Sequence, residues 1–588
     1  MTRPVRHASA AGFTVVETLI GLAILAIVST GVYFSYANVL EIVQAAHYNS
    51  AALSIIESHV EMARNMRYED IGVQGGVPQG KLQQVATVTV GGIPFELHTY
   101  VRNIDDPFDG TLGGSPNDTA PADYKIVQFQ VTCEACSRYK IISMATYIAP
   151  KNLESASKNG NLFIRVFDAA GAPVPGATVH VTNASVVPAV DLTDTTNNDG
   201  LLQLVDIATS SVGYHITAQK TGYSSDQTYP PGSPPNPLQP DATVATQQLT
   251  IASLAIDRLS TLSVRARDQV CTPAEGFSFL MTGNKLIGTS PDTPRYSATH
   301  TTSASGTASL GDIGWDTYTL RPTDATRDIA GATASLSLAI DPATAHAMTW
   351  LVASRSGDAL LVSVTDNAGN PLNDAVVRVT GTAYDQTRTT GRGSLTQTHW
   401  TPGSYTFASD FLDVSNPEQL TLLAANGSYA SASLEWLESG TIDLGTSSVT
   451  FQDLQWNPGT QPAQTGADSL KFQVAANNDN ATWTWVGPDG SPTTFFTTSG
   501  QAIPAFLASN QYFRYRAYLS TANDQVTPTL EDISLGFSSG CVPSGQAYFN
   551  GMGVGAFTVE ITRSGYQPLT TTLSVDGAWT RTVLSLSP

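Results

Sequence analysis

Three groups of residues in this sequence have the types and spacing to do chemistry. The first is acidic. Asp105-Asp106-Pro107-Phe108-Asp109-Gly110 is followed by Asn117-Asp118 and Asp123. Hard oxygen ligands gathered on one loop suit Ca²⁺, which takes about six to eight of them. The spacing of Asp105, Asp106, Asp109, Asp118 and Asp123 matches no EF-hand, and solvated turn formers look the same. Nothing else in the chain requires a cofactor.

The second group is Cys133-Glu134-Ala135-Cys136. A redox role asks for the first Cys at a helix N-terminus, where its pKa falls. This pair stands between two strand-like runs with no helix signal after it. A structural bridge closing a hairpin is the expected use, and zinc lacks a second Cys or His pair at ligand spacing. The third group is aromatic. Trp483, Trp485, Tyr512, Tyr515 and Arg516 can stack on a sugar, and can equally be ordinary sandwich core.

Catalytic patterns are missing. No HExxH, GxSxG, Walker loop or GxGxxG stands in a strand–turn–helix setting. The nine histidines are scattered, with no i, i+2 or i, i+4 pair. The expectation is that the protein is not an enzyme. The strands beginning at Leu162 and Leu361 carry no Lys, so no Lys–Asn isopeptide cross-link is expected there. Cys271 and Cys541, before Pro273 and Pro543, either pair and tie two modules together or are buried separately.

Composition bounds the rest. The 588 residues are too many for one core, and only 13% are charged. Plentiful Gly, Pro, Thr, Ser and Val suit β-sandwich modules with polar outer faces. A net charge of −20 offers no footprint for phosphate backbones, so no nucleic-acid partner is expected.

The elements that position these groups start with Gly12-Phe13-Thr14-Val15-Val16-Glu17 and the apolar run through Val28. After Glu17 no charged side chain appears until Glu41. That run is long enough to span a bilayer, roughly 20 residues. Arg3 and Arg6 ahead of it place the N-terminus in the cytoplasm, and no second run of spanning length follows. The protein is thus expected to cross the membrane once, with its bulk outside. An ionised Glu17 in such a helix costs about 2.5–3.5 kcal/mol, which calls for a partner. Beyond Glu41, apolar residues at Ile42, Val43, Ala46, Leu53, Ile56, Val60 and Ala63 continue one helical face to about Arg67.

A sheet follows. Val85–Val90, Gly91-Gly92 and Ile93–Val101 predict a hairpin, and Lys125–Thr132 and Lys140–Ile148 predict two more strands. After a linker over 151–160 the chain repeats. Ile164-Arg165-Val166-Phe167-Asp168-Ala169-Ala170-Gly171-Ala172-Pro173 matches Val362-Ser363-Val364-Thr365-Asp366-Asn367-Ala368-Gly369-Asn370-Pro371, 198 positions on (168 to 366). Their closing halves, ending at Lys220-Thr221-Gly222-Tyr223 and Arg563-Ser564-Gly565-Tyr566, lie 343 positions apart (223 to 566). The two offsets differ by about 145 residues, which a domain inserted into a loop of the second copy explains. The insert, with Trp483-Thr484-Trp485 and the alternating run Tyr512–Leu519, is itself all β.

These motifs carry three resemblances. The basic leader, the Gly12-Phe13 junction, Glu17 and the apolar helix resemble a type IV prepilin, and helix-then-sheet order resembles a minor pilin or pseudopilin head. That resemblance implies cleavage between Gly12 and Phe13 by a prepilin peptidase, methylation of the Phe13 amine, and pairing of Glu17 with the N-terminal amine of a neighbouring pilin or pseudopilin subunit. Some pseudopilins also hold calcium in the head. The Asp-x-x-Gly-x-Pro units resemble carboxypeptidase-regulatory-like sandwiches. The insert is similar to a discoidin-like or galactose-binding-like jelly roll.

The expected fold class is mainly β and multidomain: a long N-terminal transmembrane helix with a pilin-like α+β head, tandem β-sandwich (Ig-like) modules and an inserted jelly roll. The expected domains are 1–12 (leader), 13–150 (helix and head), 160–254 (sandwich), 255–354 (a diverged sandwich lacking the Asp-x-x-Gly-x-Pro turn), 358–400 with 541–588 (split sandwich) and 401–540 (insert). Such a protein would be anchored in the inner membrane and present its ectodomain to a surface glycan or protein ligand. Two alternatives are a membrane-anchored surface protein that never polymerises and a carbohydrate-binding accessory protein.

Overall fold

The computed structural model describes residues 15–151, 156–431 and 433–588. The chain divides into two compact units, 1–257 with 287–293 and 258–286 with 294–588. The architecture is mainly β, with one long N-terminal helix followed by many sheets.

Helix α1 runs unbroken over Val15–Asn65, 51 residues or about 76 Å at 1.5 Å per residue. No proline stands in it to break the backbone ladder. Its first half is apolar all round, and Leu19, Ile20, Leu22, Ile24, Leu25, Ile27 and Val28 are exposed. By length and composition this helix can cross a membrane. Only its last turns bury a stripe, formed by Ala52, Ile55, Ile56, Val60 and Ala63. Those steps of three and four keep one face toward a core.

The core is closed by a four-stranded antiparallel sheet of β1 (Val85–Val90), β2 (Ile93–Ile104), β3 (Tyr124–Thr132) and β4 (Ile142–Ile148), in chain order. The β1–β2 turn is Gly91-Gly92, with both φ angles positive and Val90 opposite Ile93. Phe95, Leu97 and Val101 of β2 and Val127, Phe129 and Val131 of β3 pack on the helical stripe. Lys125, almost wholly buried, donates Nζ hydrogen bonds to the carbonyls of Tyr68 and Ile71, fixing the chain just past the helix.

The first unit also holds a sandwich over 160–255. In one sheet Gly160–Phe167 pairs in parallel with Leu249–Ala255 and antiparallel with Leu201–Ile207. In the other, Ser210–Gln219 and Thr178–Asn183 pair antiparallel. Alternate residues of these strands, among them Leu162, Ile164, Val166, Val179, Val181 and Ile216, fill the core.

The second unit repeats that plan twice. Ser260–Arg267 lies parallel to Ala345–Ser354, and Asp358–Asp366 lies parallel to Trp579–Leu586. In all three sandwiches the first strand ends in one turn. The Oδ1 atoms of Asp168, Asp268 and Asp366 each accept the backbone N–H groups two and four residues on, at 2.8–3.0 Å. The middle sandwich therefore has the turn that its sequence was expected to lack. Gly171 and Gly369 adopt φ of 81° and 84° there, and Cys271 takes the same place at 67°. A Gly-based pattern misses it because a non-Gly residue occupies the left-handed position.

The insertion point is equally regular. The backbone N–H groups of Val166, Ala266 and Val364 donate to the carbonyls of Gly200, Gly306 and Gly545. Those of Thr196, Thr302 and Thr390 donate to Ala177, Phe277 and Ala375. Thr196 and Thr302 reach their Gly four positions on, whereas 391–544 intervenes between Thr390 and Gly545. The insert thus fills a tight turn. Its ends meet, because Gly391 N donates to Gln546 O at 3.0 Å. Its limits are wider than 401–540: Gly393–Gln397 pairs with Asp532–Ser539 of the insert, not with the split sandwich.

The insert packs two sheets face to face. Gly393–Gln397, Asp532–Ser539, Val449–Asn457 and Gln501–Ala502 form one. Tyr405–Ala408, Glu435–Ser439, Tyr512–Leu519, Ile442–Asp443 and Leu470–Asn477 form the other. Trp400, Phe472, Phe513, Tyr515 and Phe537 lie in the core between them.

Candidate functional site

Gly12 and Phe13 lie outside the described residues. Glu17 stands in the first turn of α1, where the free N–H groups of a helix favour a carboxylate. Glu41, the next charge along the helix, receives the Arg138 Nε at 2.8 Å, and the Arg138 Nη2 donates to Asn38 Oδ1 at 3.0 Å. Arg138 sits in the loop that carries Cys133 and Cys136, whose sulfurs are bonded to each other. The pair follows β3 and precedes β4, so it closes a hairpin and presents no helix N-terminus. Cys271 and Cys541 are also bonded, so the middle sandwich is tied to the end of the insert.

The acidic loop is held by hydrogen bonds to its own backbone. Asp105 Oδ2 accepts from Leu112 N at 3.0 Å and Asp106 Oδ1 from Phe108 N at 3.1 Å. Asp118 Oδ1 accepts from Ala120 N at 2.8 Å and Asp123 Oδ2 from Asp106 N at 2.5 Å. Asp109 is exposed. Among the described residues no three His, Cys, Asp or Glu side chains are placed to hold a metal ion. Each of these hydrogen bonds is one that a turn-forming aspartate makes. Burial, with Asp118 and Asp123 nearby, pushes the Asp105 carboxyl above its ordinary value.

The aromatic group divides. Strand Tyr512–Leu519 alternates strictly, with Phe513, Tyr515, Ala517 and Leu519 buried and Tyr512, Arg514, Arg516 and Tyr518 on the outer face. Tyr515 and Arg516 therefore cannot share a site. Tyr515 belongs to the core, where its hydroxyl donates to Gln397 Oε1 at 2.8 Å. Trp483, Trp485 and Arg516 do come together outside. The Arg516 guanidinium lies 4.1 Å from the ring centre of Trp485 and 4.3 Å from that of Trp436, so it is stacked by two indoles. Arg514 lies 4.4 Å from the Trp483 ring. Phe407 continues the row, its ring centre 4.3 Å from that of Trp436.

Glu438 pins both cations, taking Arg514 Nη1 at 2.8 Å and Arg516 Nη2 at 3.0 Å. The result is a fixed aromatic face, half-buried and wet on one side, suited to stacking rather than to proton transfer. Trp436, Phe407, Arg514 and Glu438 were not among the residues that the sequence singled out. Period-2 alternation already places Arg514 beside Arg516, whereas Trp436 and Phe407 sit on strands that are remote in sequence.

No protein-family model matches this sequence, and no curated protein matches it. Among solved structures the chain is similar to the Bacillus anthracis TIE protein at 10% identity, covering 86% of this chain and 76% of that one, with a TM-score of 0.16. It is similar to the shaft pilin SpaA of Lactobacillus rhamnosus GG at 12% identity, covering 33% and 98%, with a TM-score of 0.15. A streptococcal ancillary pilin matches at 9% identity over 73% and 98%, with a TM-score of 0.14. Likeness at this level assigns neither family nor activity.

Proposed function

We propose that the chain is a minor pilin or pseudopilin-like subunit with an enlarged ectodomain for surface adhesion or recognition. One observation carries this reading. A single helix is apolar and exposed through its first half, then buries a stripe under a four-stranded antiparallel head. An apolar helix of that length left bare on a folded head needs a membrane or a bundle of like helices around it.

On this reading a prepilin peptidase cuts between Gly12 and Phe13, and the Phe13 amine is methylated. Glu17 then pairs with the amine of a neighbouring subunit, an ion pair whose worth rises in an apolar medium. The helix holds the chain in the inner membrane with the ectodomain outside, and the sandwiches with the insert present a surface to a glycan or protein ligand. The protein acts by binding, not by catalysis. Mass spectrometry of the mature N-terminus tests the reading. N-methyl-Phe13 is expected, and a chain beginning at Met1 overturns it.

A further inference from the structure

Within the second unit a cleft of about 550 Å³ opens between strand Asp316–Pro322 of the middle sandwich and the last hairpin of the split sandwich. Arg321, Thr319 and Ser337 line one side, and Asp576, Trp579 and Arg581 the other. Arg581 is half-buried, and its guanidinium makes no hydrogen bond or ion pair among the described residues. Burial alone holds its guanidinium below its ordinary pKa, with no carboxylate opposing that shift. The guanidinium of Arg321, exposed on the facing wall, likewise has no hydrogen-bond or ion-pair partner among the described residues. Asp576 accepts the Ser574 hydroxyl and forms an ion pair with neither arginine.

A cation taken partly out of water without a counter-charge is costly, and two that face one cleft repel each other as well. In a chain with 49 acidic and 29 basic residues, carboxylates to neutralise them are plentiful. The one carboxylate on the lining, that of Asp576, is engaged by Ser574 and pairs with neither arginine.

The walls are rigid. Trp579 Nε1 donates to Ile329 O at 2.9 Å across the boundary between the two sandwiches. Asp328, fully buried, takes Arg355 Nε at 2.9 Å and the Tyr548 hydroxyl at 2.9 Å. The Gln546 amide both donates to and accepts from the Ala332 backbone, each at 2.8 Å. These contacts lock the two sandwiches together, so the cleft is preformed.

We propose that this cleft binds an acidic saccharide. The arginines take its carboxylate, which suits the planar guanidinium fork. Trp579 offers a ring for the sugar's C–H face, and Thr319 and Ser337 line the opposite wall for its hydroxyl groups. The volume is that of an ordinary small-ligand site. The proposal deepens the recognition half of the function proposed above and rests on that half alone.

The test is titration calorimetry on the full-length protein in detergent micelles, with digalacturonate, neutral digalactose, hexaglutamate and inorganic sulfate as probes. Digalacturonate is expected to bind, to lose at least tenfold in affinity in both Arg581→Gln and Arg321→Gln, and to weaken as salt rises. Arg581→Lys should retain part of the binding. Tryptophan fluorescence verifies folding, and the exposed Arg321 serves as the second variant should Arg581→Gln not fold. The proposal is overturned by no digalacturonate binding, by binding unchanged in both variants, or by digalactose, hexaglutamate or sulfate binding as tightly. A mature N-terminus at Met1 would sink the pilin reading and leave this result untouched, so the two failures are distinguishable.

Discussion

Arg102 of the head and Asp194 of the first sandwich form a two-bond ion pair, Nε to Oδ2 at 2.7 Å and Nη2 to Oδ1 at 2.5 Å. Asp194 is 4% exposed. Around the pair, Gly75 O accepts Asp191 N, Gln84 donates to Thr193 O and Asn103 to Val205 O. The head and the first sandwich are thus one fixed piece, despite the linker between them. Arg102→Ala strands a buried carboxylate. Because the guanidinium is one-third exposed, the cost should sit below the usual range for buried pairs, about 2–3 kcal/mol. Arg102→Lys keeps the charge but loses the fork, and should recover only part. All eight tryptophans lie beyond residue 257, so fluorescence does not report on this unit. Hydrogen exchange over 188–196 does, and unchanged exchange in Arg102→Ala would contradict the claim.

Cys271 combines a bridge with backbone strain, and the two can be separated. Cys271→Ser and Cys271→Gly both break the bond to Cys541. Only Gly relieves the positive φ, which is worth about 1 kcal/mol. Urea midpoints followed by tryptophan fluorescence should fall in the order wild type, Gly, Ser. A Ser variant at or above Gly would show that the left-handed turn carries no strain.

The insert should be removable. With 391–544 replaced by Asn197-Asn198-Asp199 of the first sandwich, Thr390 reaches Gly545 through a turn that the same fold already uses. In a Cys271→Gly background, which avoids an orphan thiol, the split sandwich should still unfold cooperatively. Loss of that transition would mean that the insert and its host share one core.

Removing Glu438 should cost more than removing either cation that it holds. Arg516→Met forfeits two ring contacts, each worth about 0.5–1 kcal/mol, but leaves Glu438 with Arg514. Glu438→Gln leaves both Arg514 and Arg516 without their carboxylate. Urea unfolding of the two variants ranks them, and the reverse order would show that stacking, not the ion pairs, orders this face.

The helix, the head hairpin and the interrupted repeat were legible because each is written in local periodicity or in glycine turns. Ala52, Ile56, Val60 and Ala63 announce one helical face, and Gly91-Gly92 announces a turn. What stayed hidden was set by tertiary context. Cys271 concealed a third copy of the Asp-x-x-Gly-x-Pro turn by standing at its left-handed position. The residues 393–397 pair with a strand well over a hundred positions away, so the insert's true limit had no local mark. Trp436 and Arg581 owe their surroundings to strands from distant segments. No spacing rule brings such partners together.

Asp105 gives the pH dependence of the first unit a definite sign. Burial first, then the fields of Asp118 and Asp123, raise its folded-state pKa above the ordinary 3.8. A carboxyl with a raised pKa binds its proton more tightly folded than unfolded. Its contribution to stability is therefore fully present below 3.8 and is lost as pH rises through the folded value. Asp105→Asn keeps a hydrogen-bonding side chain and removes the titration. It should stabilise the first unit at pH 7 and change nothing at pH 3.5, as read by hydrogen exchange over 104–123. Because Asp105, Asp106, Asp118 and Asp123 each already accept a backbone N–H group, calcium should leave both curves unmoved. A calcium-induced slowing of exchange at pH 7 in the wild type, absent in Asp105→Asn, would show instead that the loop closes on a cation, with the raised pKa as the cost of the empty site.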